Sequence, residues 1–275
     1  MAARPAGRHQ KAEQVILGSL YAGNARSVVR RGALATRSTN YLIVLSGFFE
    51  PIFYLVSLGY GLSTLVGPVQ TTTGQLVPYA AFIAPALLAV SAMNGAIYDS
   101  TWNVFFKMNY SKLYQGMLST SLGPLDVALG EISLALLRGG VYAAGFMIVM
   151  QALGLNLAWT AILALPAVLL IAFGFASLGM AITSYLKNFQ QMDWIQFVML
   201  PMFLFSATFY PLTVYPEPIQ WVVQALPLWH GVELIRGLTT GALSIAMLGH
   251  VLYYLIMIVV GMIFTTKRLK ALFLD

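Results

Sequence analysis

The chain has 275 residues, 59% of them hydrophobic and only 9% charged, with fifteen bases against nine acids and a mean hydropathy of +0.79. That leaves too little polar surface to cover a soluble domain, and the apolar residues run on for about twenty positions without alternating, which excludes a β-barrel and indicates an all-α polytopic membrane protein. Cysteine is absent, so disulfides, thiolate metal sites and a cysteine nucleophile are excluded.

The opening MAARPAGRHQK is basic and polar, and no short apolar core with a small-residue cleavage site follows, so no cleaved signal peptide is expected. In QVILGSLYAGNARSVVRRG (14–32), Val15, Leu17, Leu20, Tyr21 and Val28 alternate with Arg26, Arg30 and Arg31. This spacing predicts a helix lying at the membrane interface, the alternative being a solvated basic tail. The cytoplasmic tail and this helix make up 1–37, and a six-helix membrane domain fills 38–275. Six spanning helices are predicted there, at 40–62, 78–98, 127–152, 159–185, 194–212 and 243–265.

The first span carries Glu50 before Pro51 in SGFFEPIFYL, which predicts a kink beside an intramembrane acid. The segment between spans two and three, 99–126, is longer than a turn between neighbours needs. Within it Tyr110, Leu113, Tyr114 and Met117 recur at helical spacing, predicting a short amphipathic helix suited either to lipid headgroups or to a partner's groove. On span three, Glu131 and Arg138 lie two turns apart on one face. Either they pair with neighbours and solvent, or they line a path or form a gating pair. GFASLGM (174–180) in span four lacks a nucleophile elbow and reads as small-residue helix packing.

Between spans five and six lies FYPLTVYPEPIQWVVQALPLWHGVELIRGLTTG (209–241). Its prolines at 211, 216, 218 and 227 forbid a through-going helix, and predict two short ones near 217–225 and 228–239 within a re-entrant segment, 213–242. His230, Glu233 and Arg236 fall at i, i+3 and i+6, so adjacent members can meet on one face. One reading is a local salt bridge that lets the segment sit in the membrane; the other is an external gate.

Charge sorts the connections. Arg4, Arg8, Lys11, Arg26, Arg30, Arg31 and Arg37 precede span one, Lys107 and Lys112 follow span two, Lys187 follows span four, and Lys267, Arg268 and Lys270 end the chain. The alternate loops carry no base except Arg236, so both termini are expected in the cytoplasm. Trp102, Trp159 and Trp221 fall near span ends and read as interfacial anchors. No phosphate-binding GxxxxGK[ST] loop and no HExxH occurs, and His9, His230 and His250 are scattered too widely along the chain to suggest a metal site. A proton- or ion-coupled transporter working alone is the alternative function, but only Glu50 is a clear midplane acid and no internal repeat accompanies it.

Four ordered stretches carry a family resemblance: EPIFYLVSLGYGL (50–62), GPLDVALGE (123–131), FASLGMAIT (175–183) and YPLTVYPEPIQWVVQALPLWHGVELIRG (210–237). From about residue 40 onward the chain resembles the permease subunits of type 2 ABC exporters, in the branch of nodulation-factor permeases. The resemblance implies a half-transporter in the bacterial plasma (inner) membrane, paired with a second permease copy or a paralogue and with two ATP-binding cassette subunits. ATP and Mg would sit on those partners, with no cofactor, metal or catalytic residue in this chain. It further implies a coupling helix near Asn109–Met117, with Tyr110, Lys112, Leu113 and Tyr114 against the ATPase, and the basic N-terminal helix as a connecting helix that places Arg30 and Arg31 beside the same partner. Members of this family move bulky amphipathic cargo such as lipid-linked saccharides, lipo-oligosaccharides or hydrophobic drugs.

Overall fold

The computed structural model describes residues 23–36, 49–72 and 74–273. The N-terminal tail, residues 14–22 of the helix expected at 14–32, Arg37 and the first turns of the span expected at 40–62 lie outside the described residues. Helix α1, Ala25–Thr36, is short and amphipathic. Helix α2, Phe49–Val66, widens into π-helical turns over Leu55–Tyr60. A two-residue hairpin follows, β1 (Val69–Gln70) antiparallel to β2 (Leu76–Val77), with Val69 opposite Val77. Then come the helices α3 (Tyr79–Tyr110), α4 (Leu113–Leu118), α5 (Pro124–Ala152) and α6 (Trp159–Thr183). Helices α7 (Asp193–Phe205), α8 (Glu217–Ala225), α9 (Pro227–Thr240) and α10 (Ala246–Phe273) complete the chain.

Among the described residues five helices are long and apolar enough to cross a membrane: α2, α3, α5, α6 and α10. Helix α3 is the hub, buried on nearly every face, with α5, α6 and α9 packed around it and α10 packed on α6. Lipid is as apolar as these side chains, so close backbone approach rather than the hydrophobic effect must hold the helices together. The small residues of GFASLGM supply it. A β-carbon on Gly179 would strike Ser100 of α3, one on Gly261 of α10 would strike Ser177, and one on Gly174 would press on Tyr254.

Two elements differ from the sequence expectation. Span two does not stop at 98: α3 continues to Tyr110 through π-helical turns at Asp99–Asn103 and Phe106–Tyr110. Polar side chains close on the loosened backbone there, Thr101 Oγ1 donating to the Ile97 carbonyl at 2.6 Å and Asn109 Nδ2 to the Phe105 carbonyl at 3.2 Å. The helix expected at 194–212 is shorter, because α7 ends at Phe205. Pro201 weakens its ladder, and Ala207 takes a left-handed φ of 55° that no continuing helix permits. Thirteen residues of α-helix span about 20 Å, well under the thickness of a bilayer core.

The connections gather at two ends. The hairpin, the 153–158 turn and α9 meet at one: Leu157 N and Ala158 N donate to the Thr239 carbonyl, and Thr160 Oγ1 donates to the Leu238 carbonyl at 2.6 Å. Helices α1 and α4 lie at the opposite, basic end, where α1 packs along the start of α5.

Candidate functional site

The sequence GPLDVALGE builds the seat of α1 at the basic end. Gly123 caps α5, Pro124 enters its first turn, and Asp126 Oδ2 accepts from Gly123 N at 3.0 Å. Asp126 Oδ1 also accepts from Asn24 N at 2.9 Å, pinning the entry to α1. One turn on, Gly130 leaves room for Val28, whose side chain is buried where a β-carbon would otherwise stand. Glu131 follows, buried, with Oε2 at 2.5 Å from Lys107 Nζ of α3 and Oε1 at 3.7 Å from Arg31 Nη2 of α1.

Glu131 and Arg138 therefore serve separate partners. Arg138 Nη1 donates to Asp99 Oδ1 at 2.7 Å, and Asn103 Nδ2 donates to the same oxygen at 2.5 Å. Both charges on α5 are answered by opposite charges on α3, a local pairing that satisfies them within the bundle.

The residues expected on the coupling helix divide between surface and core. Tyr110 and Lys112 are exposed, Leu113 is half-buried, and Lys112 sits at a left-handed φ of 48° that turns the chain out of α3 into α4. Tyr114 is completely buried. Burial, reinforced by the negative charge of Glu131, pushes the Tyr114 hydroxyl well above its usual range, so it stays a neutral O–H. Arg30 and Arg31 are exposed on α1.

At the other end, the expected trio separates. Glu233 and Arg236 pair, with Arg236 Nη1 at 2.5 Å from Glu233 Oε1, and both are buried. Thr72 Oγ1, next to the hairpin, donates to Glu233 Oε2 at 2.7 Å. Arg236 also donates from Nη2 to the Ala207 carbonyl at 3.0 Å and from Nε to the Phe82 carbonyl at 3.4 Å, with its guanidinium 3.8 Å over the Phe82 ring. Desolvating a guanidinium costs several kcal/mol, and this set of partners offsets it. Arg236 thus supplies a hydrogen-bond partner to the Ala207 carbonyl just after α7 stops.

His230 does not join that pair. It turns to α10, where its Nδ1 lies 2.7 Å from His250 Nδ1, with Trp229 edge-on to both rings and Tyr253 stacked at 4.0 Å. Two of the histidines scattered in sequence, His230 and His250, are thus adjacent in space, while His9 lies outside the described residues. Among the described residues no cluster of three or more metal-ligating side chains forms around them. Glu50 is exposed on α2, beside Phe49, Phe53, Tyr54 and Ser57, which line a groove of about 500 Å³.

Residues 24–240, which hold all of these side chains except His250 and Tyr253, match the family model of the ABC-2 type transporter. The chain belongs to the ABC-2 type transporter family. It is similar to Nodulation protein J of Rhizobium leguminosarum bv. trifolii, 31% identical over 245 residues, covering 89% of this chain and 92% of that protein. Nodulation protein J of Rhizobium leguminosarum bv. viciae is 31% identical over 249 residues (90% and 94%), and that of Bradyrhizobium diazoefficiens 33% over 215 (78% and 80%). This ABC-2 chain is a multi-pass transmembrane component of an ABC transporter.

Sequence reasoning missed Asp99, Thr72, Ala207 and His250 as partners in these ABC-2 assemblies. Only Asp99 left a usable signal, being an acid at the end of a span with an unanswered arginine on the next. The others contribute through long-range contacts that periodicity does not encode.

Proposed function

We propose that this chain is the permease half of an ATP-driven exporter in a bacterial plasma (inner) membrane, moving a bulky amphipathic cargo such as a lipid-linked saccharide, a lipo-oligosaccharide or a hydrophobic drug. Two ATP-binding cassette subunits bind at its basic, cytoplasmic end and carry the ATP and Mg. A second permease, a copy or a paralogue, completes the pore. Six crossings result when α7 is counted with residues 206–212, leaving both termini in the cytoplasm and α8 and α9 as a re-entrant pair on the outer side.

The observation that carries this reading is that α1 and α4 both pack on α5 at one basic end of an ABC-2 chain whose own sequence has no phosphate-binding loop. Tyr110, Lys112 and Leu113 present the ATPase contact, Tyr114 anchors it from inside, and Arg30 and Arg31 flank it. ATP drives export because it binds the two arrangements of the permease with different affinity, and α4 carries ATPase closure into the bundle as a rigid-body movement. Glu50 is exposed on an apolar helix, where facing lipid would cost about 2.5–3.5 kcal/mol, so it faces a wet path along the permease–permease interface. Glu233 and Arg236 form the outer closure, and His230 buttresses it against α10. Glu131 and Arg138 brace the cytoplasmic half of that path.

Co-expression with a tagged ATP-binding cassette subunit from the same genome tests the reading. The two chains should co-purify from detergent, and Tyr110→Ala with Lys112→Glu should cut recovery by about tenfold or more, the loss expected of a contact hot spot. Transport by the purified chain alone under a proton gradient would overturn it.

A further inference from the structure

Three helices with different tasks converge on one carboxylate. Glu131 Oε2 holds Lys107 of α3, and its Oε1 faces Arg31 of α1 at 3.7 Å without accepting a hydrogen bond. The Tyr114 hydroxyl of α4 is buried, feels the charges of both Glu131 and Arg31, and has no hydrogen-bond partner among the described residues. A buried donor on α4 and a buried acceptor on α5 are thus both left without a hydrogen bond where α4 packs on α5, a state that native structures rarely leave unexplained. The neighbouring surfaces are close-fitted rather than loose, with Val28 set into Gly130 and Leu134 against Gly32.

We propose that Glu131 is the positioning residue that joins α1, α4 and the basic end of α3 into one lever, and that the Tyr114 O–H closes onto Glu131 Oε1 when α4 is pushed inward. This rests on the reading of α4 as the ATPase contact and adds the element through which the push is transmitted. Arg31 and Lys107 hold the carboxylate in place, so an inward step of α4 is met by a hydrogen bond formed only in the pushed state. Such a bond biases a two-state equilibrium, which is how a coupling residue differs from a merely stabilising one.

Because the chain has no cysteine, spin labels can be placed without removing any background thiol. Arg30→Cys and Gln115→Cys are both exposed, one on α1 and one on α4. In the purified permease alone, the label-to-label distance should be a single narrow distribution that Glu131→Gln broadens; an unchanged distribution would overturn the lever. Tyr114→Phe removes only the unspent hydroxyl, so the melting temperature of the permease should hold or rise. In the co-purified complex the same variant should retain ATPase stoichiometry, yet reduce the permease-dependent part of ATP turnover by about fivefold or more, within the range of allosteric couplings. Wild-type turnover in Tyr114→Phe would overturn the proposed bond. Failure of wild-type permease and ATPase to associate would instead defeat the ATPase reading, and the spin-label result on the permease alone would still decide the lever.

Discussion

Arg138 Nη1 lies 2.7 Å from Asp99 Oδ1, and this pair stands beside a second of reversed polarity, Lys107 with Glu131. The pairs step eight residues forward along α3 and seven back along α5, as neighbouring antiparallel helices require. The alternation fixes register, since a slide of one pair's spacing would set acid against acid or base against base. Asp99→Asn and Arg138→Gln should each lower stability by about 1–3 kcal/mol, less than for a sealed pair because the Arg138 side chain is 32% exposed. The exchange Asp99→Arg with Arg138→Asp should recover at least half of the loss. Thermal unfolding in detergent, run as a double-mutant cycle, measures the coupling directly.

Arg236 ties together three elements: α9, the break after α7 through the Ala207 carbonyl, and α3 through the Phe82 carbonyl and ring. Arg236→Lys should fail to rescue, because a single ammonium cannot reach two carbonyls and a carboxylate in the fixed fork of a guanidinium. Arg236→Ala should cost about 3–5 kcal/mol by leaving Glu233 buried and uncompensated, and adding Glu233→Gln should return part of that. Under the export reading, Glu233→Gln alone should reduce export while the ATPase subunits still co-purify. Equal loss of assembly would show that the pair only holds the fold.

The parts of the molecule that follow from local rules were legible in the sequence. The small-residue stretch in α6 predicts close helix packing, and Gly174, Ser177 and Gly179 all lie tight against α10 or α3. Prolines 216, 218 and 227 mark where helices begin and end between spans five and six, because a proline fits only the first turn. Long-range partners were not legible. Nothing in the spacing of His230, Glu233 and Arg236 says that the first faces α10, the second the hairpin and the third α3. Nor does periodicity show that Asp99–Tyr110 continues as helix, because π-helical turns shift the 3.6-residue repeat on which the expectation rests.

Helix contact by glycine gives a paired test. At Gly261 an added β-carbon would lie 2.7 Å from the Ser177 carbonyl carbon, a backbone atom that no rotamer change can move. At Gly95 nothing lies within 4 Å. Gly261→Ala should destabilise by about 1–3 kcal/mol through overpacking of α10 on α6. Gly95→Ala should be neutral, or stabilising by up to about 1 kcal/mol through helix propensity. Unfolding midpoints of the two variants in one detergent separate packing from propensity.

The His230–His250 contact allows one proton between two facing Nδ1 atoms, so one ring donates and the other must be the tautomer with its proton on Nε2. Trp229 and Tyr253 enclose the rings, and Tyr254 on the same helix anchors the start of α9 by donating to the Pro227 carbonyl at 2.7 Å. The histidine bond is therefore a second tie between α9 and α10. His250→Phe keeps an aromatic ring but leaves His230 Nδ1 without its partner, and should cost about 1–3 kcal/mol. The double variant His230→Phe with His250→Phe removes both polar atoms and should be milder than the single one, since replacing both members of a half-buried pair by apolar groups leaves no donor or acceptor unpaired. Unfolding midpoints of the single and double variants decide this; a double variant worse than either single would show that the rings contribute by packing and not by their shared proton.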